Sequence, residues 1–344
     1  MTTDNAKGFQ DIIGEEAVKR QKIREILIAS FKKYGFEPVE TPVIEYEEFV
    51  KQGNENDEVI SDIFKLEDKG KRKLALRYEF TFQLKRVAKN QKLPLKVYQI
   101  GPVFRDEPTS ANRFRQFTQC DADIIGSTIK DESEILALAA RICKELKIDS
   151  KILVNNRKLI NSVIKSLGIS NTEFVLREID KIEKQGEDAV KSNMAKFISK
   201  DKIVKLFKLL NKPLSFFKKY EGYKEIKQLI DLCEIYGVKI VFSLSLARGL
   251  SYYNGSVFEI KSLIKESIAA GGSYLINGIQ ASGISFGLER LTSLSKLKQD
   301  KEEKYLIISI GKDKEAIKLA EKLRQKGKSC IIIDKVSKGL DYAN

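Results

Sequence analysis

The chain of 344 residues contains no histidine and no tryptophan. Without an imidazole it cannot form a Ser-His-Asp or Cys-His catalytic group, and no metal centre in it can use histidine ligands. Its four cysteines are far apart and form no Cys-x-x-Cys pair, which excludes zinc-ribbon and thioredoxin-like sites. They are Cys120, Cys143, Cys233 and Cys330. Scattered thiols are typical of the reducing cytoplasm rather than of a secreted disulfide scaffold.

Long apolar runs are also absent, since no stretch approaches the ~20 consecutive apolar residues of a membrane span. The first residues, MTTDNAKGFQDIIGEE, lack the apolar centre of a signal peptide. A content of 42% hydrophobic and 32% charged residues is typical of soluble globular proteins. We therefore expect a cytoplasmic protein of two or three domains that has no contact with a membrane.

Charge is unevenly distributed along the sequence. Lysine and arginine total 62 against 48 acidic residues, a net charge of +14. Residues 181–224 contain 12 lysines, no arginine and 5 acidic residues, so half of the net charge lies in this stretch. The stretch either binds a polyanion such as a nucleic acid or is a solvated lysine-rich surface.

The hydrophobic pattern predicts an α+β protein with an antiparallel sheet flanked by helices. Residues 15–33 and 132–146 have apolar side chains at helical spacing. KVYQIGPVFRDE and RFRQFTQCDADIIG predict two strands of a hairpin, which indicates an antiparallel sheet. Helical patterns dominate from residue 150 to 236, and strands return after 236. Residues 300–344 predict a parallel βαβ unit.

The second hairpin strand carries an unusual set of polar residues. Alternation places six side chains on one face: Arg113, Arg115, Phe117, Gln119, Asp121 and Asp123. A core face cannot hold two arginines and two aspartates unpaired, so this face is either a salt-bridged, solvated surface or a ligand site. Guanidinium groups, a carboxylate and an aromatic ring are what a nucleotide requires for its phosphates, exocyclic amine and base.

These motifs resemble those of the class II aminoacyl-tRNA synthetases. FRDE followed by RFRQF resembles their motif 2, GISFGLERL resembles motif 3, and the helix leading into ETPVIE resembles motif 1. LARGLSYYNGSVFEI is similar to the signature of the histidyl-tRNA synthetase family, and AAGGSY is similar to its second signature. FTQCDADIIG is similar to the corresponding segment in the archaeal and eukaryotic branch of that family. The resemblance extends from Lys7 to about Lys296.

The resemblance implies four segments. Residues 1–149 and 237–299 would form the catalytic domain, with a basic helical insertion at 150–236. Residues 300–344 would be part of an anticodon-binding-like α/β domain, either naturally short or truncated. Motif 1 implies a homodimer.

The family's activity implies two steps, namely activation of L-histidine with ATP to histidyl-adenylate and transfer of the histidyl group to the 3′ end of tRNA(His). Mg²⁺ would accompany the ATP, and no metal ligand among the protein's side chains is implied. Attack of a carboxylate on the α-phosphate requires fixed cations rather than an enzyme imidazole. This requirement is consistent with the absence of histidine.

By resemblance, the ATP site has five residues. Arg105 would bind the α-phosphate and Glu107 the adenine amino group. Arg113 would reach the γ-phosphate, Phe117 would stack on the adenine, and Arg290 would cover the other face of the adenine and the terminal phosphate.

The resemblance also assigns the remaining partners. Arg248 would be a catalytic cation beside the α-phosphate, together with Arg105 and Arg290. The residues expected around histidine are Glu79, Thr81 and Gln119 at its α-amino group and Asp123 and Tyr253 at its imidazole. The residues expected to contact tRNA phosphates are Lys205, Lys208 and Lys212 in the basic insertion.

Three residues differ from the family pattern. Ser251 replaces an aspartate, and Ser273 and Leu275 replace the arginine and aspartate of the second signature. We expect these positions around the amino acid pocket and its lid. They leave two alternatives open, namely a non-catalytic synthetase-like regulatory subunit of histidine biosynthesis and a class II-like ligase for another amino acid or acceptor. The complete set of phosphate-binding arginines favours the histidine ligase.

Overall fold

A computed structural model gives the fold of the chain and describes residues 3–52, 58–110, 113–247, 252–262, 267–297 and 304–334. The chain divides into two compact units, residues 1–296 and residues 297–344. No helix in these described ranges is both long enough and apolar enough to cross a bilayer.

The described residues contain strands and helices with the following bounds. The strands are β1 (Glu37–Pro38), β2 (Ile44–Tyr46), β3 (Lys65–Glu67), β4 (Lys73–Leu76), β5 (Leu95–Phe104), β6 (Gln116–Ile125), β7 (Ser150–Asn156), β8 (Ile240–Phe242), β9 (Ser256–Ser262), β10 (Ser267–Ile276), β11 (Ile279–Gly287), β12 (Lys304–Ile308) and β13 (Ser329–Ile333). The helices are α1 (Gly14–Lys33), α2 (Glu47–Lys51), α3 (Leu84–Val87), α4 (Ile129–Glu145), α5 (Arg157–Ser166), α6 (Thr172–Asp180), α7 (Ile182–Gln185), α8 (Glu187–Met194), α9 (Lys200–Leu210), α10 (Tyr223–Ile235), α11 (Leu288–Leu294) and α12 (Asp313–Gln325).

An eight-stranded sheet forms the centre of the first unit, in the order β1-β5-β6-β11-β10-β9-β7-β8. Its neighbouring strands are antiparallel except for the two edge pairs, β1 with β5 and β7 with β8. The predicted hairpin is confirmed, because β5 and β6 pair from Leu95 opposite Ile125 to Phe104 opposite Gln116. The predicted α+β architecture, a mostly antiparallel sheet flanked by helices, is therefore confirmed.

One face of this sheet is covered by α1, α4 and α11. Ile23, Leu27 and Phe31 of α1 are fully buried and lie on one side of the helix. The Phe31 ring lies 5.2 Å from the ring of Tyr98 in β5 and 6.5 Å from that of Phe286 in β11. Side chains that alternate with these two residues along their strands must therefore lie on the opposite face.

The structure differs from the sequence prediction at the start of the helical stretch. Residues 150–156 form β7, which pairs with β9 in the central sheet. The β-branched and apolar run of this segment favours a strand, and the helices begin only at Arg157. Asn156 ends the strand and caps α5, because its side chain accepts hydrogen bonds from the backbone N–H groups of Lys158 and Leu159 at 2.9 and 3.3 Å.

The second unit contains the predicted βαβ arrangement. β12 and β13 are parallel and pair from Lys304 opposite Ser329 to Ile308 opposite Ile333. α12 connects them and is followed by Gly327, which has a φ of 74° and allows the chain to leave the helix.

A partly buried ion pair joins α1, β6 and α11. Arg20, which is 6% exposed, donates to Glu289 Oε1 at 2.8 Å and to Thr118 Oγ1 at 3.2 Å. The Glu289 carboxylate also accepts the backbone N–H of Thr118, at 3.0 and 3.1 Å. These contacts fix the helix that follows β11 against the sheet.

Replacing Arg20→Met should lower the free energy of unfolding by about 3–5 kcal/mol, because Glu289 would keep a charge in a partly dry site without its partner. The exposed pair of Lys205 and Asp201 supplies the control, since their side chains are 60% and 72% exposed. Lys205→Met should change stability by less than about 1 kcal/mol. Urea unfolding measures both variants, and equal losses would contradict this role of Arg20.

Candidate active site

The candidate site is the sheet face opposite α1, α4 and α11. The strand register places Asp121 of β6 between Gln99 of β5 and Ser285 of β11. Asp123 lies two residues further along and is paired with Val97 and Gly283. Two carboxyl groups therefore lie side by side near the middle of the sheet.

Two glycines leave space on this face. A Cβ atom at Gly283 would lie 1.9 Å from Asp123 Oδ1, and one at Gly272 would lie 2.8 Å from Cδ1 of Tyr253. Gly272 and Gly283 are paired between β10 and β11. The carboxyl of Asp123 and the ring of Tyr253 therefore rest directly on the backbone of the sheet, where a larger residue would displace them.

Asp123 is 4% exposed and accepts a hydrogen bond from the Tyr274 hydroxyl. Burial raises the pKa of Asp123 to about 7, although the Tyr274 hydrogen bond acts in the opposite direction. Burial and the neighbouring Asp123 carboxyl also raise the pKa of the Tyr274 hydroxyl. Near neutral pH the Asp123 carboxyl can therefore accept or donate a hydrogen bond to a ligand in this pocket.

Asp121 is also 4% exposed, and it accepts the last of a series of hydrogen bonds that begins at Gln119. Gln119 Nε2 donates to Ser285 Oγ at 2.6 Å, which leaves the Ser285 hydrogen for the Asp121 carboxyl. Burial, Asp123 and Glu79 raise the pKa of Asp121, whereas Ser285 and Arg105 act to lower it. Among the described residues, Asp121 Oδ1 and Gln119 Oε1 are buried and have no hydrogen-bond partner. The middle of the face therefore offers acceptor oxygens to a cationic group.

Cationic side chains lie where β5 ends, β6 begins and β11 ends. The Arg105 guanidinium lies 5.2 Å from the centre of the Phe117 ring, and its Nε donates to the backbone oxygen of Tyr78 at 3.2 Å. The Arg290 side chain passes over Gly287, because a Cβ atom added to Gly287 would lie 3.8 Å from Arg290 Cδ. Because Gly287 pairs with Gln119, Arg290 lies near the same end of the face. Phosphates of a bound ligand would find positive charge there.

The loop between β5 and β6 holds the remaining predicted ATP residues. The carboxylate of Glu107, which is buried, forms an ion pair with the half-exposed Arg113. Arg115 also forms an ion pair, with Asp106 at 3.0 Å. A nucleotide that uses Glu107 and Arg113 separately would have to replace this contact.

The predicted histidine residues converge on the carboxyl groups. Glu79 follows β4, is 4% exposed and interacts electrostatically with Asp121 and with the Tyr252 hydroxyl. Thr81 is hydrogen-bonded to the same hydroxyl. The rings of Tyr252 and Tyr253 lie 4.9 Å apart. Tyr252 packs against the apolar cluster beside this site.

Asp121 and Tyr274 lie in the site, but neither was assigned a role in ligand binding. Alternation had already placed Asp121 on the polar face of β6, and the resemblance assigns no role to this position. Tyr274 shares a face with Gly272, but its hydrogen bond to Asp123 is a long-range contact that the sequence pattern does not indicate. The β10–β11 turn is short because Asn277 and Gly278 both have positive φ, 51° and 78°, as in a tight hairpin turn.

The expectation that Ser273 and Leu275 surround the amino acid pocket is wrong. Strand alternation places both residues on the helix-covered side, where Ser273 is 1% exposed and donates to Glu132 Oε1 of α4 at 2.6 Å. Leu275 is 50% exposed. The departure at Ser273 therefore affects the contact of β10 with α4 rather than the lining of the site, and the departure at Leu275 lies at a half-exposed position. Arg248 and Ser251 lie outside the described residues.

The predicted tRNA-binding lysines are all exposed. Lys205 and Lys208 lie on α9, whose apolar residues Leu206 and Phe207 are buried, and Lys212 follows the helix. Lys205 forms an ion pair with Asp201 at 2.7 Å, and Lys212 Nζ lies 5.7 Å from the ring of Phe216. Lys205 and Lys208 are three residues apart and therefore lie on one side of α9.

Within the described part of the chain, no cluster of three or more aspartate, glutamate or cysteine side chains is arranged to hold a metal ion. All four cysteines are free thiols, and three of them are buried.

Replacing Asp123→Asn should change how stability depends on pH. The folded protein holds the Asp123 proton up to about pH 7, whereas the ordinary pKa is 3.8. The folded state therefore binds more protons between these values, and the free energy of unfolding falls as pH rises, by at most ~1.4 kcal/mol per pH unit. The variant lacks this decrease, so its stability relative to the wild type should rise from pH 4.5 to pH 7.5.

Urea unfolding at both pH values measures this difference. Asp149→Asn is the control, because Asp149 is an exposed aspartate paired with Lys296. A constant difference between Asp123→Asn and the wild type would contradict the raised pKa.

Comparison with known proteins supplies the family. A family model described as "Histidyl-tRNA synthetase" matches residues 8–291. The "Histidine--tRNA ligase 1" of Bacillus cereus is 34% identical over an alignment that covers 100% of this chain and 90% of the relative. The crystal structure of histidyl-tRNA synthetase from Nostoc superposes with a TM-score of 0.84 and 25% identity, covering 100% of this chain and 89% of that one.

A further solved structure from Bacillus halodurans, titled "ATP phosphoribosyltransferase regulatory subunit/histidyl-tRNA synthetase", has a TM-score of 0.83 and covers 96% of this chain and 93% of that chain. At 23% identity it supports the fold alone. The family model spans most of the chain, and the alignment with the Bacillus cereus relative covers all of it. The chain therefore belongs to the histidyl-tRNA synthetase family of aminoacyl-tRNA ligases.

Proposed function

We propose that this protein is a histidine–tRNA ligase, which activates L-histidine with ATP and transfers it to the 3′ end of tRNA(His). One observation carries the proposal: the same strand, β6, has buried carboxyl groups in its middle and leads at its N-terminal end to Phe117, against which Arg105 lies. An amino acid and a nucleotide can therefore bind side by side along one strand.

The ammonium and imidazole of histidine would bind in the middle of the face. Glu79, Thr81 and Gln119 would surround the ammonium, and Asp123 and Tyr253 would contact the imidazole. Because Asp123 is buried, a ligand without the imidazole nitrogens would leave its carboxyl without that partner, which supplies selectivity. Tyr274 holds the Asp123 carboxyl in position from the other side.

The carboxylate of histidine would then point toward the cationic end. Its oxygen attacks the α-phosphorus of ATP, and the bond to the bridging oxygen of the β-phosphate breaks, which releases pyrophosphate. Arg105, with Arg248 and Arg290, would stabilise the charge on the phosphate oxygens. Glu107, Arg113 and Phe117 would bind the rest of the ATP, and Mg²⁺ would enter with it.

In the second step, a terminal hydroxyl of tRNA(His) attacks the histidyl carbonyl, and AMP leaves. Lys205, Lys208 and Lys212 would contact tRNA phosphates, which adds affinity rather than base specificity. We further propose that the protein acts in the cytoplasm as a homodimer formed through the motif 1 region. The helices that follow β7, within residues 157–236, would act as an insertion between two parts of a catalytic domain.

The alternative of a non-catalytic regulatory subunit is disfavoured by the cationic and aromatic side chains of the ATP end, since such a protein needs no Arg105 stacked on Phe117 and no Arg113. A ligase for another amino acid is disfavoured by the Asp123 carboxyl, together with Tyr253 and Tyr274, because these groups fit an imidazole.

The wild-type protein should catalyse L-histidine-dependent exchange of pyrophosphate into ATP. Arg105→Ala should lower this rate about 10²–10³-fold, as expected when a fixed group that stabilises transition-state charge is removed. Arg248→Ala should have a comparable effect by resemblance. Arg141→Ala is the control, because Arg141 is exposed on α4 and forms an ion pair with Glu145 one turn along the same helix. No exchange by the folded wild-type protein would refute the proposed function.

Reversing the charge of Lys205, Lys208 and Lys212 together to glutamate should raise KM for tRNA and make its salt dependence less steep, because fewer counterions are released. Pyrophosphate exchange does not involve tRNA and should stay unchanged. A control variant reverses three exposed lysines outside the basic stretch, Lys144, Lys147 and Lys151. If pyrophosphate exchange by the first variant fell as much as its aminoacylation of tRNA, these lysines would instead stabilise the fold.

A further inference from the structure

A chain of buried polar side chains leads from an ion pair to Gln99, which lies beside Asp121 in the site. Arg86 binds the Glu45 carboxylate through two nitrogens at 2.9 and 2.7 Å. Glu45 accepts from Gln83 Nε2 at 2.5 Å, and Gln83 contacts Thr41, which contacts Gln99. Glu45, Gln83 and Gln99 are at most 7% exposed, whereas Thr41 is partly exposed and the Arg86 side chain is 46% exposed. Water therefore has little access to the carboxylate of Glu45 and to the two amides.

The ion-pair end fixes the direction of the hydrogen bonds. Gln83 Nε2 has two hydrogens, and both are used, on the Glu45 carboxylate at 2.5 Å and on the backbone oxygen of Pro42 at 2.7 Å. Gln83 Oε1 is therefore the acceptor at the other end of the amide. It lies 2.5 Å from Thr41 Oγ1, which donates to it. A threonine hydroxyl has only one hydrogen, so Thr41 has none left to donate.

This restriction determines the orientation of the Gln99 amide. The structure assigns Gln99 Oε1 to the end that lies 2.9 Å from Thr41 Oγ1, and Nε2 to the end that is buried without a hydrogen-bond partner among the described residues. The two ends of an amide are alike in shape, and Thr41 can only accept at this contact. The amide must therefore be reversed, so that its nitrogen donates to Thr41 and its oxygen is the unpartnered end. Gln99 therefore presents an acceptor oxygen on the face that carries Asp121.

The opposite side of Asp121 has a similar arrangement. Gln119 donates its nitrogen to Ser285, so that Gln119 Oε1 is left as an acceptor, as is Asp121 Oδ1. Arg77 is a buried cation that interacts with Asp121, but it donates to the backbone oxygens of Pro102 and Thr41, each at 2.8 Å. Three buried acceptor oxygens, one of them from a carboxyl group, are thus available in one region, which suits a group that is positively charged and has several N–H donors.

We propose that Gln99 is a further binding residue for the ammonium group of the substrate, and that Gln99, Gln119 and Asp121 accept its three hydrogens while Glu79 and Thr81 line the same pocket. Thr41, Gln83 and the Glu45–Arg86 ion pair act as positioning residues, because they hold the Gln99 oxygen toward the ammonium. This inference rests on the proposed function, since it concerns the amino acid of the same reaction.

The test compares three ligands in the full-length protein by calorimetry. L-Histidine and L-histidinol carry the ammonium, and imidazole propionate lacks it. Thr41→Val keeps the side-chain shape but cannot accept from Gln99, so the affinity for the two amines should fall about tenfold. Imidazole propionate should stay within about twofold. Thr41→Ser restores a hydroxyl and should restore the affinity.

A second variant, Gln99→Met, removes the amide without touching Thr41 and should give the same ligand pattern. In exchange assays, both Thr41→Val and Gln99→Met should raise KM for histidine and leave KM for ATP unchanged. Equal losses for all three ligands, or unchanged histidine affinity, would contradict the inference while leaving the proposed function intact. Failure of the wild-type protein to bind histidine would contradict the proposed function and the inference together.

Discussion

Burial of two carboxyl groups on one face of β6 is the constraint on which the site depends. Asp121 and Asp123 are each 4% exposed, and burial raises the pKa of both. A buried carboxylate is stable only where a cation or several donors meet it. The surroundings supply part of this requirement, since Gly283 makes room, and Tyr274 and Ser285 are hydrogen-bonded to the two groups. The ammonium and imidazole of the substrate would supply the remainder.

The same strand separates negative and positive charge over a short distance. The carboxyl groups lie in the middle of β6, whereas Arg105 and Arg290 lie near its N-terminal end. A zwitterionic amino acid would bind with its ammonium toward the middle and its carboxylate toward the cations. That orientation is the one that attack on the α-phosphate of ATP requires. The hydrogen bonds that begin at Arg86 and Glu45 would support this arrangement, because they determine the orientation of the Gln83 and Gln99 amides.

The sequence predicted the hairpin of β5 and β6, the βαβ unit and the polar face of β6, because alternation and turn chemistry are local. It did not predict that residues 150–156 join the central sheet, since pairing with β9 is a long-range contact. It missed Tyr274 for the same reason, as its partner Asp123 is 151 residues away in the chain. The assignment of Ser273 and Leu275 to the pocket was wrong because it rested on the resemblance alone, whereas strand alternation places both on the other face. The roles of single site residues stay predictions, because a sequence pattern identifies neighbours and not bound ligands.

A crystal structure with L-histidine and a non-hydrolysable ATP analogue tests the account most directly. It predicts the imidazole within hydrogen-bond distance of Asp123, the ammonium within about 3 Å of Asp121, and the α-phosphate beside Arg105. A structure in which histidine binds away from these carboxyl groups, with Asp123 hydrogen-bonded to Tyr274 alone, would contradict the account.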